Sequence, residues 1–209
     1  MSNLSYTKEF FLLAVNGKGY IPALKEKEIY SCLLAGGIME LINEGMVFKD
    51  EKGRLSIVKE FDNTFTYLFP LYERIASAKK PIDMRNLFAS KLVTAVRDTL
   101  IARDCQDELT EQGLFKNKTK YISKPKVVQE IVAKIHAQFF GDEPLEDETV
   151  CLVALLDISG LTRDYFGKID AKLLKDQLKD LPESNARTLA NELIEFFTML
   201  FVILPSVAT

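Results

Sequence analysis

The sequence has 209 residues, of which 47% are hydrophobic, and a formal net charge of −3 at pH 7. A chain of this length and composition can bury a full core, so we expect one globular domain over residues 1–209 and exclude intrinsic disorder for the chain as a whole. The acidic balance disfavours nucleic acid as a partner.

The first quarter of the chain is predicted to form helices followed by a hairpin. Residues 6–16 predict a helix that stops at the GKG motif. Residues 22–44 predict a longer, central buried helix, in which Gly36 and Gly37 let another helix approach closely. Residues 46–58 alternate between apolar and polar on either side of a KDEKG turn, which is typical of a β-hairpin.

The rest of the chain is predicted to be mostly helical. A helix is expected at 64–79, disturbed by Pro70, and another at 83–103 with Asp83 as its N-cap. Residues 107–122 are too polar for a core helix and predict a second hairpin or an ordered loop. Further helices are predicted at 125–140, 146–158, 170–180 and 184–204. The expected fold is therefore mainly α, with two hairpins around a buried central helix.

The sequence contains no pattern that calls for catalysis. The single histidine, His136, has no second histidine with which to share a metal ion, and its place beside an apolar stripe indicates a structural role. Nucleophile-elbow, phosphate-loop and dinucleotide motifs are absent. The acidic residues of 141–148 lie where a helix N-terminus favours negative charge. We expect no enzyme, no metal and no cofactor.

Three further features bear on where the protein functions. The N-terminal MSNLSYTKEF lacks the layout of a signal peptide, so we expect a cytoplasmic protein. Cys32, Cys105 and Cys151 are spaced too widely for a metal or redox motif, and we expect three buried thiols. The apolar run at 196–204 is shorter than the roughly 20 residues that span a bilayer, and it predicts a core helix.

A winged-helix DNA-binding regulator is one alternative, since the helix ending at Glu44 leads directly into the first hairpin. Its charge argues against this function. Residues 28–48 contain no Lys or Arg, whereas a recognition helix must approach a polyanion. We keep this alternative as the minor one.

The stretch LFKNKTKYISKPK, residues 114–126, has five lysines and no acidic residue. As a strand it would place Lys116, Lys118 and Lys120 on one face, with Phe115 and Tyr121 on the other. These lysines are either a solvated surface or a binding face for an anionic partner. A lysine near an anionic leaflet contributes about 1 kcal/mol, so electrostatics alone would support weak, reversible attachment.

Four segments of the chain resemble the Golgi phosphoprotein 3 family in order and rough spacing. They are FFLLAVNGKG (10–19), SCLLAGGIMELINEGMV (31–47), GLFKNKTKYI (113–122) and CLVALLDISGL (151–161). The resemblance implies a mainly helical, non-catalytic domain. Golgi members bind phosphatidylinositol 4-phosphate at the membrane and hold glycosyltransferases by their tails. The short N-terminus resembles that of the shorter microbial members.

The resemblance also implies where a lipid headgroup would bind. The family pocket takes a Trp and an Arg from the second helix and two Arg from the helix before the second hairpin. This chain has no Trp, so it departs from that pattern. The position of the Arg from the second helix falls at Leu34, and that of the Trp falls near Leu24 or Lys25. The positions of the other two arginines fall near Ser90 and Val93, with Lys91 and Arg97 close by.

We therefore expect a cytoplasmic protein that attaches peripherally to membranes by binding anionic lipid. Protein clients are possible partners, and residues 107–122 are a possible contact for homo-oligomers. The alternative is a self-associating adaptor that never touches lipid. The expected anion-binding residues are Lys25, Lys91, Arg97, Lys116, Lys118, Lys120, Lys124 and Lys126. The residues expected to contact the membrane are Leu114, Phe115 and Tyr121.

Overall fold

The computed structural model describes residues 4–15, 17–87, 89–112 and 117–203. Within these ranges the fold is mainly α, as predicted. The helices are α1 Tyr6–Ala14, α2 Glu26–Asn43, α3 Phe69–Ala76, α4 Ala89–Ala102, α5 Pro125–Phe140, α6 Asp147–Ile158, α7 Thr162–Lys179 and α8 Asn185–Ile203. The strands are β1 Val47–Lys49, β2 Arg54–Ile57, β3 Ile82–Asp83, β4 Gln106–Glu111 and β5 Lys118–Ser123. Short 3-10 helices are formed by Ala23–Lys25, Asn63–Leu68 and Met84–Asn86.

Helix α2 lies at the centre of the core, as its apolar sequence predicts. It packs against α1, α4, α6 and α8, and residues 31–41 are all buried. A Cβ atom at Gly36 would lie 2.6 Å from Thr7 Oγ1, and one at Gly37 would lie 2.8 Å from Leu71 Cδ1. The two glycines therefore let α1 and α3 approach closely, which confirms that prediction.

The first hairpin is part of a larger sheet. Strands β1 and β2 pair antiparallel, and β3 adds a third strand on the other side of β2. Because residues 31–41 of α2 are all buried, most of this helix has no free face that could enter a DNA groove. The winged-helix hypothesis is therefore not supported by the fold.

Two predicted helix boundaries are wrong near this sheet. Asp83 does not begin the long helix, because it pairs with Arg54 in the β2–β3 ladder, the 3-10 helix Met84–Asn86 follows it, and α4 begins only at Ala89. The helix predicted at 64–79 is split, with a 3-10 helix ending at Leu68 and α3 beginning at Phe69. Pro70 lies in the first turn of α3, where its missing N–H costs no helical hydrogen bond.

Helix α7 begins earlier than the predicted 170–180. It begins at Thr162 and is interrupted at Gly167, whose backbone angles are φ 70° and ψ −177°. The Tyr165 hydroxyl donates a hydrogen bond of 2.5 Å to the carbonyl oxygen of Leu13, which ties the first part of α7 to α1. This tertiary contact holds the short first segment in place.

The three cysteines and the C-terminal apolar run both contribute to the core. All three cysteines are buried free thiols, as predicted. Residues 196–203 of the apolar run belong to α8, whose Phe196 and Leu200 lie in the core. Among the described residues, no helix has the length and apolar character needed to cross a bilayer.

Candidate functional site

The second predicted hairpin is formed by β4 and β5. The two strands pair antiparallel from Gln106 opposite Ser123 to Glu111 opposite Lys118. The Ser123 hydroxyl donates a hydrogen bond of 2.9 Å to the carbonyl oxygen of Leu12, so β5 is attached to α1. The hairpin is thus held against the core at its base.

The two faces of β5 carry different side chains, because side chains alternate along a strand. Lys118, Lys120 and Ile122 share one face, and Tyr121 lies on the other. The predicted separation of these two lysines from Tyr121 is confirmed. The lysine face is not purely basic, however, because Leu109 lies opposite Lys120 and is 48% exposed.

Tyr121 packs against Arg97 of α4. The Arg97 Cζ atom lies 3.7 Å from the centroid of the Tyr121 ring and 5.9 Å from that of Phe11. The Arg97 Nε atom is buried without a hydrogen-bond partner. In the described part of the chain, the guanidinium has no ion pair, so its charge is held against aromatic rings alone.

One more tyrosine lies near this arginine, and another lies beside Lys120. Burial, followed by a hydrogen bond to Glu26, raises the pKa of Tyr30 to about 12, while the charge of Arg97 acts in the opposite direction. Tyr20 lies on the lysine face of β5 instead, with its ring centroid 5.9 Å from Lys120 Nζ. We refer to Phe11, Tyr30, Arg97 and Tyr121 together as the Arg97 cluster.

Gly19 positions the hairpin in this cluster, and sequence reasoning missed its role. Its carbonyl oxygen accepts a hydrogen bond of 3.1 Å from the Tyr121 N–H. Its φ is +83°, and a Cβ atom there would lie 3.0 Å from Lys120 Cβ and 3.2 Å from the Tyr121 backbone nitrogen. The GKG motif, which predicted only a helix end, is therefore also the docking point for β5.

Most of the described lysines of the basic stretch lie within 4.0 Å of an acidic residue. Lys120 binds Glu111 of the facing strand, and this hydrogen bond raises the pKa of Lys120. Lys124 binds Asp104, which raises its pKa in the same way, and it lies 3.6 Å from Asp107. The sequence stretch looked strongly basic because its partners lie in and just before β4.

Two lysines of the stretch are more exposed. Lys118 is exposed and has no ion pair among the described residues. The Lys126 side chain is 88% exposed, with its Nζ atom 4.0 Å from Glu130. Lys118 is therefore the described lysine of the hairpin with the least compensated charge.

The other predicted anion-binding residues lie outside the Arg97 cluster. Lys25 donates hydrogen bonds of 2.8 Å to the carbonyl oxygen of Gly160 and 3.1 Å to Asp164. Lys91 is exposed on α4 and lines a groove of about 430 Å³ with Arg74 of α3. The structure thus separates these two lysines from the hairpin.

Three predicted residues lie outside the described residues. They are Leu114, Phe115 and Lys116. Their roles in membrane contact and anion binding stay predictions.

The positions at which the family resemblance places the headgroup pocket carry neither an Arg nor a Trp. Leu34 is fully buried and Val93 is 5% exposed, so both belong to the core. Leu24 is 97% exposed and supplies no ring. Arg97 lies about one turn beyond Val93 on α4, and it brings a cation near the hairpin by a different route.

Comparison with known proteins gives a match over most of the chain. Residues 7–196 match the family model described as Golgi phosphoprotein 3 (GPP34). A search of curated proteins finds no match. The matched region runs from α1 into α8 and contains every residue of the Arg97 cluster.

Proposed function

Because the chain belongs to the Golgi phosphoprotein 3 (GPP34) family, we propose that it is a non-enzymatic, cytoplasmic protein that attaches peripherally to membranes by binding anionic lipid. The headgroup phosphate binds at Arg97 beside the β4–β5 hairpin. Lys118 and Lys116 add attraction to the lipid surface, and Leu114 and Phe115 contact its apolar part. The observation that carries the proposal is the Arg97 guanidinium, whose buried Nε has no acceptor.

An anionic oxygen would satisfy this arginine. A polar group buried without a partner costs about 1–3 kcal/mol, and that cost is removed when a ligand supplies the missing acceptor. Guanidinium groups bind phosphate through two parallel hydrogen bonds, so they suit a phosphorylated headgroup better than a point charge does. Tyr121 supports the plane of the guanidinium from one side. The expected ligand is a phosphorylated lipid such as phosphatidylinositol 4-phosphate, as in the family.

The paired lysines contribute less than the sequence predicted. Lys120 and Lys124 already bind carboxylates, so an anionic surface must compete with Glu111 and Asp104. Selectivity for a phosphorylated headgroup therefore depends on Arg97, whereas general attraction to anionic lipid depends on Lys118 and Lys116. This division of roles predicts different lipid dependence for variants at the two positions.

Vesicle co-sedimentation tests the proposal. Vesicles of phosphatidylcholine alone are compared with vesicles that also contain phosphatidylserine or phosphatidylinositol 4-phosphate. We expect Arg97→Gln to lose the preference for the phosphoinositide, with affinity about tenfold lower. Lys118→Glu should weaken binding to both anionic lipids. Lys79→Glu and Lys80→Glu, at exposed positions after α3, serve as charge-matched controls.

Two results would overturn this function. One is equal binding to neutral and anionic vesicles. The other is a loss of binding in the Lys79→Glu or Lys80→Glu control as large as the loss caused by Lys118→Glu.

The exposed Leu109 favours a second candidate, a self-associating adaptor that uses the same hairpin. Size-exclusion chromatography of Leu109→Glu distinguishes the two. A shift to monomer without loss of vesicle binding shows that self-association and lipid binding are separate. A dimer in the parent protein, together with no vesicle binding, supports the adaptor.

A further inference from the structure

The break in α7 creates a pocket that shares no residue with the Arg97 cluster. A residue with φ 70° and ψ −177° is essentially always glycine, so Gly167 is required for this backbone path. The break brings the start of α7 and the segment after Gly167 around one cavity of about 280 Å³. It is lined by Asp157, Gly160, Thr162, Arg163, Lys168, Ala171, Lys172 and Lys175.

The pocket is strongly positive. Its four cationic residues face a single carboxylate, that of Asp157, which lies 3.2 Å from Lys175. Arg163, Lys168 and Lys172 have no ion pair within the part of the chain that the structure describes. Three positive charges therefore converge on the cavity without compensation.

A buried hydroxyl in the wall of the pocket gives independent support for a ligand. Thr162 is 4% exposed, and its Oγ1 atom has no hydrogen-bond partner. Buried hydroxyl groups are normally hydrogen-bonded, and leaving one unpaired is unfavourable. A ligand oxygen would supply the partner that the protein does not.

The backbone after the break adds to the positive electrostatic potential of the pocket. Residues 168–179 form the second segment of α7, and the first N–H groups of a helical segment have no acceptor within it. The positive end of the helix dipole therefore lies beside Lys168, at the pocket. Helix N-termini of this kind favour phosphate groups.

We propose that this pocket binds a phosphate monoester dianion, held by Arg163, Lys168 and Lys172 and by the Thr162 hydroxyl. Pockets for drug-sized ligands measure roughly 300–1,000 Å³, so a cavity just below that range suits one phosphorylated headgroup or a free phosphate. Both sources share the same chemistry. The site is independent of the hairpin and of the function proposed for it.

An NMR titration of the full chain with inorganic phosphate tests the site. Saturable shifts are expected at the amides of Thr162, Gly167, Lys168 and Lys172, with a Kd of about 10 mM or tighter. The double variant Lys168→Gln/Lys172→Gln should weaken binding at least about tenfold. Lys179→Gln is the matched control, because Lys179 is exposed on the same segment but does not line the pocket.

Replacement of Thr162 by Val tests the contribution of the hydroxyl group separately from that of the charged side chains. The variant keeps the side-chain shape, so it should be at least as heat-stable as the parent without phosphate, because it removes an unpaired buried hydroxyl. Its gain in Tm on adding phosphate should be smaller than that of the parent. An equal gain in Tm in the two proteins would show that the Thr162 hydroxyl does not bind phosphate.

Vesicles distinguish the two sources of phosphate. If the double lysine variant loses binding to vesicles with phosphatidic acid, while Arg97→Gln keeps it, the ligand is a lipid headgroup. If vesicle binding is unchanged but phosphate binding is lost, the ligand is a free phosphate ester. The proposal is overturned if no saturable shift occurs, or if Lys179→Gln weakens binding as much as the double variant.

Discussion

Gly19 offers the most direct test of how the hairpin is held in place. Replacement of Gly19 by Ala imposes two costs, one from its φ of +83° and one from contact of the new Cβ with β5. Gly45 provides the comparison, because its φ is +66° and a Cβ there would meet nothing within 4 Å. Gly45→Ala therefore reports the backbone cost alone.

The magnitudes of the two costs follow from the geometry. A positive φ costs a non-glycine residue about 1–2 kcal/mol. Alanine also lowers the conformational entropy of the unfolded chain, which offsets about 0.4–1 kcal/mol of that cost. Gly45→Ala should therefore lower the free energy of unfolding by about 1 kcal/mol. In Gly19→Ala the Cβ would also lie 3.0 Å from Lys120 Cβ and 3.1 Å from Ile122 Cγ1. Overpacking of this kind adds about 1–3 kcal/mol, because a strand must move rather than the end of a flexible side chain.

Urea denaturation of both variants, followed by circular dichroism, measures the difference. Hydrogen exchange at the Tyr121 amide, which donates to the Gly19 carbonyl oxygen, provides a local measurement. We expect exchange at this amide to become faster in Gly19→Ala by more than the change in global stability explains. Losses of stability within about 0.5 kcal/mol of each other, with unchanged Tyr121 exchange, would refute the docking role of Gly19.

Three other predictions concern buried ionisable groups. Lys134→Met removes the partner 2.6 Å from the buried Glu9 carboxylate and should cost about 3–5 kcal/mol at neutral pH, as measured by urea denaturation. Burial raises the pKa of Glu9 above its ordinary value, so the loss should shrink as the pH falls and Glu9 takes up a proton, and a loss independent of pH would contradict this. Burial raises the pKa of Glu40 above its ordinary 4.5, so the stability that Glu40 contributes is present below that pH and falls as pH rises through the folded-state pKa. Glu40→Gln should reduce this fall in a series of melts across pH, whereas an unchanged slope would point to other groups. Burial raises the pKa of Cys151 to about 12, so thiol reagents should label it only at the rate of unfolding, and fast labelling of the native protein would contradict its burial.

Local patterns in the sequence were sufficient for most of the helices. The run around Gly36 and Gly37 predicted a buried helix with close neighbours, and α2 confirms it. The range predicted for α5, 125–140, matches the observed helix, which begins at Pro125 and is followed by Gly141. These signals act within a few residues of one another, so no knowledge of the rest of the chain was needed.

Predictions failed where a distant segment decided the structure. Asp83 has the side chain of a helix cap, but pairing of β3 with β2 places it in a strand. The break at Gly167 is not marked by any local pattern that distinguishes it from an ordinary loop. In both places a tertiary contact outweighs local preference.

The candidate site shows the same division most clearly. The alternation of lysines with other residues along β5 could be predicted from the sequence, because it follows from strand geometry. Which of these charges remain uncompensated depends on tertiary contacts. Lys120 and Lys124 find carboxylates that lie 9 and 20 residues earlier in the chain, whereas Arg97 meets the Tyr121 ring and no acid among the described residues. Charge in a sequence is a local property, but its neutralisation depends on which segments the fold brings within a few ångströms of each other.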